Sequence, residues 1–384
     1  MHDRPGGPAA RMAASRQGQP RIDRYASAMT RPGSLEVEEA ADRLRRARGG
    51  DLDDVPPNGA VLVVDLDTEG VPFPLDQWTS CPCVMVGVGD PDGSPAGLDG
   101  VDVALTGSAA PPRPWVGVED LEGELRRLAS SVGSSPMASA VLVQVLRLAG
   151  RHGLVDDLVV ESLAYSALQS GPEFAGWLAA RRTPPAPAPA ASEAARPERS
   201  ASGPAVRIER SGDRLDLTLC RPPVRNAYSA VLRDQLCEGL GLVAADPSIS
   251  EVHLWGEGPD FCSGGDLTEF GTLPDPVTAH LVRTGRSAAR LLGLVGARVV
   301  AHLHGACIGA GIELPALAGR VVADPGTRVW LPELGMGLIP GAGGTASLPR
   351  RIGRHRAAWL ALTGQAIDAH TAHRWGLVDE LVAA

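Results

Sequence analysis

The sequence predicts an α/β fold in two unequal parts, a smaller N-terminal α/β region and a larger layered core. Three observations predict it. Apolar strand-like runs alternate with helix-like stretches on both sides of residue 200. Several of those strands are apolar at successive positions, as strands covered on both faces of a sheet are. Between the parts runs "TPPAPAPAASEAARPERSASGP", residues 183–204, which is too rich in proline, alanine and serine to pack a core and reads as a semi-extended linker.

Taken in order, residues 1–57 read as a disordered segment carrying one solvated helix, "SLEVEEAADRLRRARGG", stopped by two glycines. Residues 58–182 form the small α/β region. "GAVLVVDLD", "CPCVMVGVGD" and "GVDVALTG" are its strands, each ended by Gly, Asp or Pro. "LEGELRRLASSV", "SPMASAVLVQVLRLAG" and "LVDDLVVESLAYSALQSGPEFAGWLAARR" are its helices. In the second helix Met137, Val141, Val145 and Leu148 recur at helical spacing and are the expected core face. Residues 205–384 open with a hairpin, "VRIERSGDRLDLTLCRP", turning at "SGD". The helix "NAYSAVLRDQLCEGLGLVAADP" follows, then strands in "SEVHLWGEG", "ARVVAHLHG" and "RVVADPGTRVW". His302 and His304 alternate along a strand, so one of them is expected to face the core.

Composition removes several classes of function. All 36 basic residues are arginine, so Schiff-base chemistry is excluded and any cation holding a phosphate is a guanidinium. A formal charge of −9 argues against non-specific nucleic-acid binding. The first twenty residues are polar, and no apolar run approaches ~18 residues, so neither a secretory leader nor a membrane helix is expected. The six scattered cysteines read as reduced thiols of a cytoplasmic protein. "CPC" at 81–83 lacks a second pair at metal-binding spacing, and no metal is expected.

The chemistry gathers in "HLHGACIGAGIELPALAG", residues 302–319, where a strand passes through a glycine turn into a helix start carrying Glu313. Such a start exposes unpaired N–H groups that stabilise developing negative charge. "VHLWGEGPDFCSGGDL" repeats the pattern, and two such turns aimed at one point would make a two-donor oxyanion hole. The "GAGG" of 341–344 is no phosphate loop, for it lacks G-x-x-x-x-G-K-[ST] and the chain has no lysine. "GACIGAG" misses the dinucleotide spacing, and Ser263 sits in no nucleophile elbow.

These segments carry a resemblance. "RPPVRNAYS", "GPDFCSGGDL", "HGACIGAGIELPALAGRVVAD", "LPELGMGLIPGAGGTASLPRRIGR" and "LTGQAIDAHTAHRWGLVDELV" make residues 205–384 similar to the crotonase superfamily, the enoyl-CoA hydratase/isomerase fold. The resemblance implies a crotonase-like ββα spiral core, an acyl-CoA substrate, no cofactor beyond the coenzyme A of that substrate, and a homo-oligomer, trimer or hexamer. It implies Glu313 and Glu333 as the catalytic pair and the N–H groups of Cys262 and Ala310 as the oxyanion hole, with alanine where the family usually has glycine. Its substrate-binding positions are Arg225, Ala227, Gly264, Asp266, Gly309, Pro340 and Gly341, with Arg225 facing the nucleotide portion of coenzyme A.

Two carboxylates suit addition of water to a 2-enoyl thioester, which needs a base for the water proton and an acid for the α-carbon. Mutual repulsion tends to keep one protonated, and the helix dipole favours ionised Glu313. Glu313 is therefore expected to activate the water and Glu333 to supply the α-proton. Two departures stand against the resemblance. Pro315 falls inside the helix after Glu313, and the covering helices that family members carry after "GLVDELV" are absent there. Residues 135–182, with Gly-Pro-Glu-Phe at 171–174, resemble that covering segment, so residues 58–182 are expected to be a degenerate crotonase-like half covering the core in cis or across an interface; the alternative is an unrelated accessory domain. The leading expectation is an enoyl-CoA hydratase. Its rivals are an enoyl-CoA isomerase, which needs one carboxylate, and a non-catalytic acyl-CoA or protein-binding subunit.

Overall fold

The computed structural model describes residues 61–67, 79–93, 98–182 and 203–382. The expected N-terminal helix and nearly all of the linker fall outside them. Four short strands open the fold: β1 (Val61–Asp65), β2 (Val84–Val88), β3 (Val103–Thr106) and β4 (Val116–Gly117). They pair in parallel in the order β1-β2-β3-β4. β2 and β3 are buried at every position, which explains their unbroken apolar sequence. β4 is only two residues long and gives no periodic signal.

Beneath this sheet Arg147 donates to both carboxylate oxygens of Asp102 and to the carbonyls of Cys81 and Cys83, while Asp102 also accepts from the Met85 N–H. The pair is almost entirely shut off from solvent, at 1% and 3% side-chain exposure. Asp102→Ala would strand a buried guanidinium. Chemical denaturation is expected to show a loss of about 3–5 kcal/mol, and a loss below about 1 kcal/mol would contradict the arrangement.

Four helices follow: α1 (Leu121–Ser134), α2 (Pro136–Leu148), α3 (Leu154–Gln169) and α4 (Pro172–Arg182). Asp120 caps α1 by accepting from the Gly123 N–H. The long stretch expected as one helix is two, broken at Ser170–Gly171 with Pro172 opening the second. The face expected for α2 is also corrected. Met137 is 39% exposed, and the core side carries Ala138, Leu142, Val143, Val145 and Leu146. α2 packs against the sheet and other helices at once, so more than one stripe is buried and the periodicity does not single out one face.

The remaining chain builds two sheets. The hairpin β5 (Val206–Ser211) and β6 (Arg214–Leu219) turns through Gly212 at φ +66. Helix α5 (Ala230–Ala245) begins at Ser229, whose side chain accepts from the Leu232 N–H. Then come β7 (Glu251–Gly256), α6 (Pro276–Gly285), α7 (Ala288–Val295), β8 (Val299–Leu303), β9 (Ala306–Ile308) and α8 (Ala310–Glu313). The chain ends through β10 (Arg320–Ala323), β11 (Arg328–Trp330), α9 (Gly344–Ile352), α10 (Arg354–Thr363), β12 (Ile367–Asp368), α11 (Ala369–Trp375) and β13 (Glu380–Leu381).

One sheet runs β13-β10-β8-β7-β6-β5, parallel except for the hairpin; the other runs β12-β11-β9. Neither His302 nor His304 enters the core. His302 stacks on Trp255 and meets His253 at 2.8 Å on a half-buried sheet face, and the ring of His304 lies 3.0 Å from the Gly258 carbonyl.

The two parts share one continuous apolar cluster, from Val84 and Leu105 through Leu142 to Leu348 and Leu360. Polar contacts seal the seam. Arg354 donates to the carbonyls of Asp99 and Val101, Arg356 to that of Trp115, and the Trp359 indole to Glu124. Helices α1–α3 thus cover α9 and α10 within a single chain.

Candidate active site

Pro315 decides the local shape of the glycine stretch. It ends α8 after one turn, and the chain continues as a 3-10 turn over Pro315–Leu317. The helix expected to run through "GIELPALAG" is therefore a single turn, and Glu313 stands at its end, 2% exposed. Gly309 precedes it at φ +48, a conformation that side chains resist. A Cβ there would overlap Oε1 of Glu333 and lie 3.6 Å from Oε1 of Glu313. The two carboxylates therefore face one another across a bare backbone.

Glu313 is held by the loop after Pro340. Its Oε2 accepts from the N–H groups of Ala342 and Gly344, both at 2.8 Å. Glu333 opens a 3-10 turn, and its Oε2 is buried without a hydrogen-bond partner. A third carboxylate, which sequence reasoning missed, enters from α3. Glu161 is 2% exposed and accepts from the N–H of Gly343 at 2.7 Å and from the N–H and hydroxyl of Thr345 at 2.9 and 2.7 Å. A pocket of about 90 Å³ reaches this loop, lined in part by Glu161, Tyr228 and Gly341.

Burial dominates the titration of all three. It pushes Glu313 well above the usual carboxylate range, reinforced by the charges of Glu333 and Glu161 and opposed by the two N–H donors. It raises Glu333 to about 8 and Glu161 to about 7. The dipole preference expected for ionised Glu313 is thus outweighed by loss of water.

The linkage has a definite sign. A carboxyl whose folded pKa is raised adds stability that is present below its free value of 4.5 and lost as pH rises through about 8. The neutral isostere Glu333→Gln lacks that loss. Its melting temperature relative to wild type is expected to climb between pH 4.5 and 8, and a pH-independent difference would contradict the burial of Glu333.

The oxyanion pair needs one correction. The Cys262 N–H donates to the Ala306 carbonyl at 3.2 Å, because Cys262 and Cys307 form a parallel bridge. Three residues on, the N–H of Gly265 has no protein acceptor among the described residues, and neither has that of Ala310 at the start of α8. The two segments are in close contact: a Cβ on Gly264 would lie 3.1 Å from the Ile308 carbonyl, and one on Gly311 would overlap the Cys262 carbonyl.

The other expected positions divide. Gly264, Gly309, Pro340 and Gly341 gather at the site: a Cβ on Gly341 would overlap the Tyr165 ring, and one on Gly344 would overlap Pro340. Ala227 is half-buried and donates to the Val224 carbonyl. Asp266 accepts from the N–H and hydroxyl of Thr268, capping its own turn. Arg225 is 68% exposed and pairs with Asp260 at 3.4 Å. Asn226 beside it is fully buried at φ +53 and donates to the carbonyls of Glu257, Asp260 and Phe261, which ties the two loops together.

Glu313, Glu333, Gly265 and Ala310 fall within residues 212–384, which match the family model described as enoyl-CoA hydratase/isomerase. The C-terminal half of the chain belongs to that family, the crotonase superfamily. It is 38% identical over 165 residues to the 2,3-dehydroadipyl-CoA hydratase of Escherichia coli (strain K12), covering 43% of this chain and 64% of that protein. It is 34% identical over 173 residues to the 1,2-epoxyphenylacetyl-CoA isomerase of the same organism, covering 44% of this chain and 66% of that one. Among solved structures, an enoyl-CoA hydratase of Mycobacterium smegmatis is 31% identical at a TM-score of 0.44, over 47% of this chain and 71% of that one. The chain thus spans a little under two thirds of these curated relatives.

Proposed function

We propose that the protein adds water reversibly across the double bond of a 2-enoyl-CoA thioester. One observation carries the reading: buried Glu313 and half-buried Glu333, whose Oε2 is shielded from solvent, face each other across Gly309, beside the N–H groups of Gly265 and Ala310 that have no acceptor among the described residues. The thioester oxygen accepts from those two N–H groups, which stabilise the enolate-like charge as water attacks C3. The reacting form is the one in which the pair carries its single charge on Glu313, where the Ala342 and Gly344 N–H donors oppose the burial that otherwise favours the neutral acid, and in that form Glu313 takes a proton from the water. Glu333, with its pKa raised to about 8, is protonated near neutral pH and delivers a proton to C2. The oxygen becomes the 3-hydroxyl, and the two glutamates exchange protonation states before the next turnover.

Loss of the ultraviolet absorbance of crotonyl-CoA tests this reading. The purified chain is expected to bleach the conjugated thioester, and Glu333→Gln is expected to slow that bleaching by about 10²-fold or more. Binding of crotonyl-CoA without any loss of absorbance would overturn short-chain hydration.

A further inference from the structure

The N–H groups of residues 342–345 alternate between two carboxylates. Ala342 and Gly344 donate to Oε2 of Glu313, at 2.8 Å each. Gly343 and Thr345, interleaved with them, donate to Oε1 and Oε2 of Glu161 at 2.7 and 2.9 Å. The Thr345 hydroxyl adds a third bond to Glu161 at 2.7 Å. Gly343 stands at φ +107, which lets successive N–H groups of one short loop point to opposite sides. The loop opens α9, so it presents helix-start donors that α9 itself cannot satisfy.

We propose that Glu161 is a positioning residue: from the N-terminal half of the chain it clamps residues 342–345 so that their alternate N–H groups hold Glu313 in its working orientation. The proposal goes beyond the hydratase reading but rests on it for the statement that Glu313 moves a proton. The contact is long-range, with 182 residues separating Glu161 from Gly343. α3 is anchored for this task at another point, where Asp157 pairs with Arg350 of α9 at 2.7 Å. The buried positions of α3 include Asp157, Glu161, Ser162 and Ser166 beside Tyr165 and Leu168, while Val155, Val159 and Leu163 face outward. Covering a core does not call for four buried polar side chains on one helix, two of them carboxylates.

The chemistry of substitution follows from the donors. Glu161→Gln keeps the volume but replaces one acceptor oxygen with an N–H₂ group. That group must face either the Gly343 N–H or the N–H and hydroxyl of Thr345. A donor facing a donor displaces the loop, and Glu313 loses its two fixed partners. Misplacement of a reacting group by ~1 Å costs about 10²-fold in rate.

Three readouts on the full-length chain test the clamp. With crotonyl-CoA as probe, Glu161→Gln is expected to lower kcat by about 10²-fold while KM stays within about threefold. In a Glu313→Gln background the same substitution is expected to change kcat by no more than about twofold, because it acts through the group already removed. Hydrogen exchange is expected to accelerate at Ala342 and Gly344 as well as at Gly343 and Thr345. Additive effects of the two substitutions, an unchanged kcat, or unchanged exchange at Ala342 and Gly344 would overturn the proposal.

Should Glu161→Gln fail to fold, Thr345→Val removes the hydroxyl donor alone and is expected to lower kcat by about 3–10-fold with the same non-additivity. If the wild-type chain turns over no crotonyl-CoA, short-chain hydration falls and the exchange experiment decides the clamp separately. Faster exchange at Ala342 and Gly344 upholds it, and unchanged exchange sinks it.

Discussion

Glu313→Gln is expected to lower turnover of a 2-enoyl thioester by about 10²–10⁴-fold while leaving the fold intact. The carboxamide oxygen can occupy the place of Oε2 and accept from Ala342 and Gly344 as the carboxylate does. What is lost is the transferable proton. The same change removes a carboxyl whose burial raises its pKa, so the variant is expected to be more heat-stable than wild type at neutral pH. Activity and stability are therefore expected to move in opposite directions, a pattern no simple packing defect produces. Calorimetry beside a turnover assay reads both. A variant that is less stable, or one that keeps more than about a tenth of wild-type turnover, would remove Glu313 from the chemistry.

Gly309→Ala is expected to be nearly as damaging, for a steric reason. The residue sits at φ +48 and ψ −118, and its missing side chain is the space into which Oε1 of Glu333 reaches. A methyl group there must displace the carboxylate or twist the turn that presents the Ala310 N–H. Backbone strain and overpacking together predict a loss of about 2–4 kcal/mol. Displacement of Glu333 predicts a fall in kcat of about 10²-fold or more. Truncating the neighbour distinguishes the two effects: in a Glu333→Ala background, Gly309→Ala is expected to cost noticeably less stability. Equal costs in both backgrounds would mean that Gly309 and Glu333 do not share that space.

The parts of this site written in contiguous motifs were legible in the sequence. Glu313 and Glu333 each lie beside glycine-rich turns whose spacing is local, although the three-residue strands that lead to them, β9 and β11, are too short to give an apolar run. What escaped reading depends on partners far away along the chain. Which N–H of "FCSGGDL" is free cannot be read from the motif, because the Cys262 donor is taken by Ala306 of a strand some forty residues on, leaving Gly265.

Glu161 was hidden for the same reason. Its three donors are more than 180 residues distant, and its helix exposes valines while burying carboxylates, against the usual amphipathic sense. The misread face of α2 has a different origin, since a helix enclosed on several sides leaves no single stripe for periodicity to find. Pro315, by contrast, was visible as an anomaly. Its consequence, a one-turn helix that halts at Glu313, required the three-dimensional structure.

The joined core of the two halves gives the covering role expected for residues 135–182 a physical basis. α3 brings Glu161 to the loop, Tyr165 against Gly341 and Asp157 against Arg350, so side chains of the N-terminal half meet the candidate site.

Proton NMR of crotonyl-CoA incubated with the protein in D₂O follows the proton delivered to C2. Two-glutamate hydration is expected to yield a 3-hydroxybutyryl thioester carrying one deuterium at C2, formed by wild type and suppressed in Glu313→Gln and in Glu333→Gln. An unchanged crotonyl spectrum, or deuterium at C4 from migration of the double bond without a hydroxylated product, would contradict it.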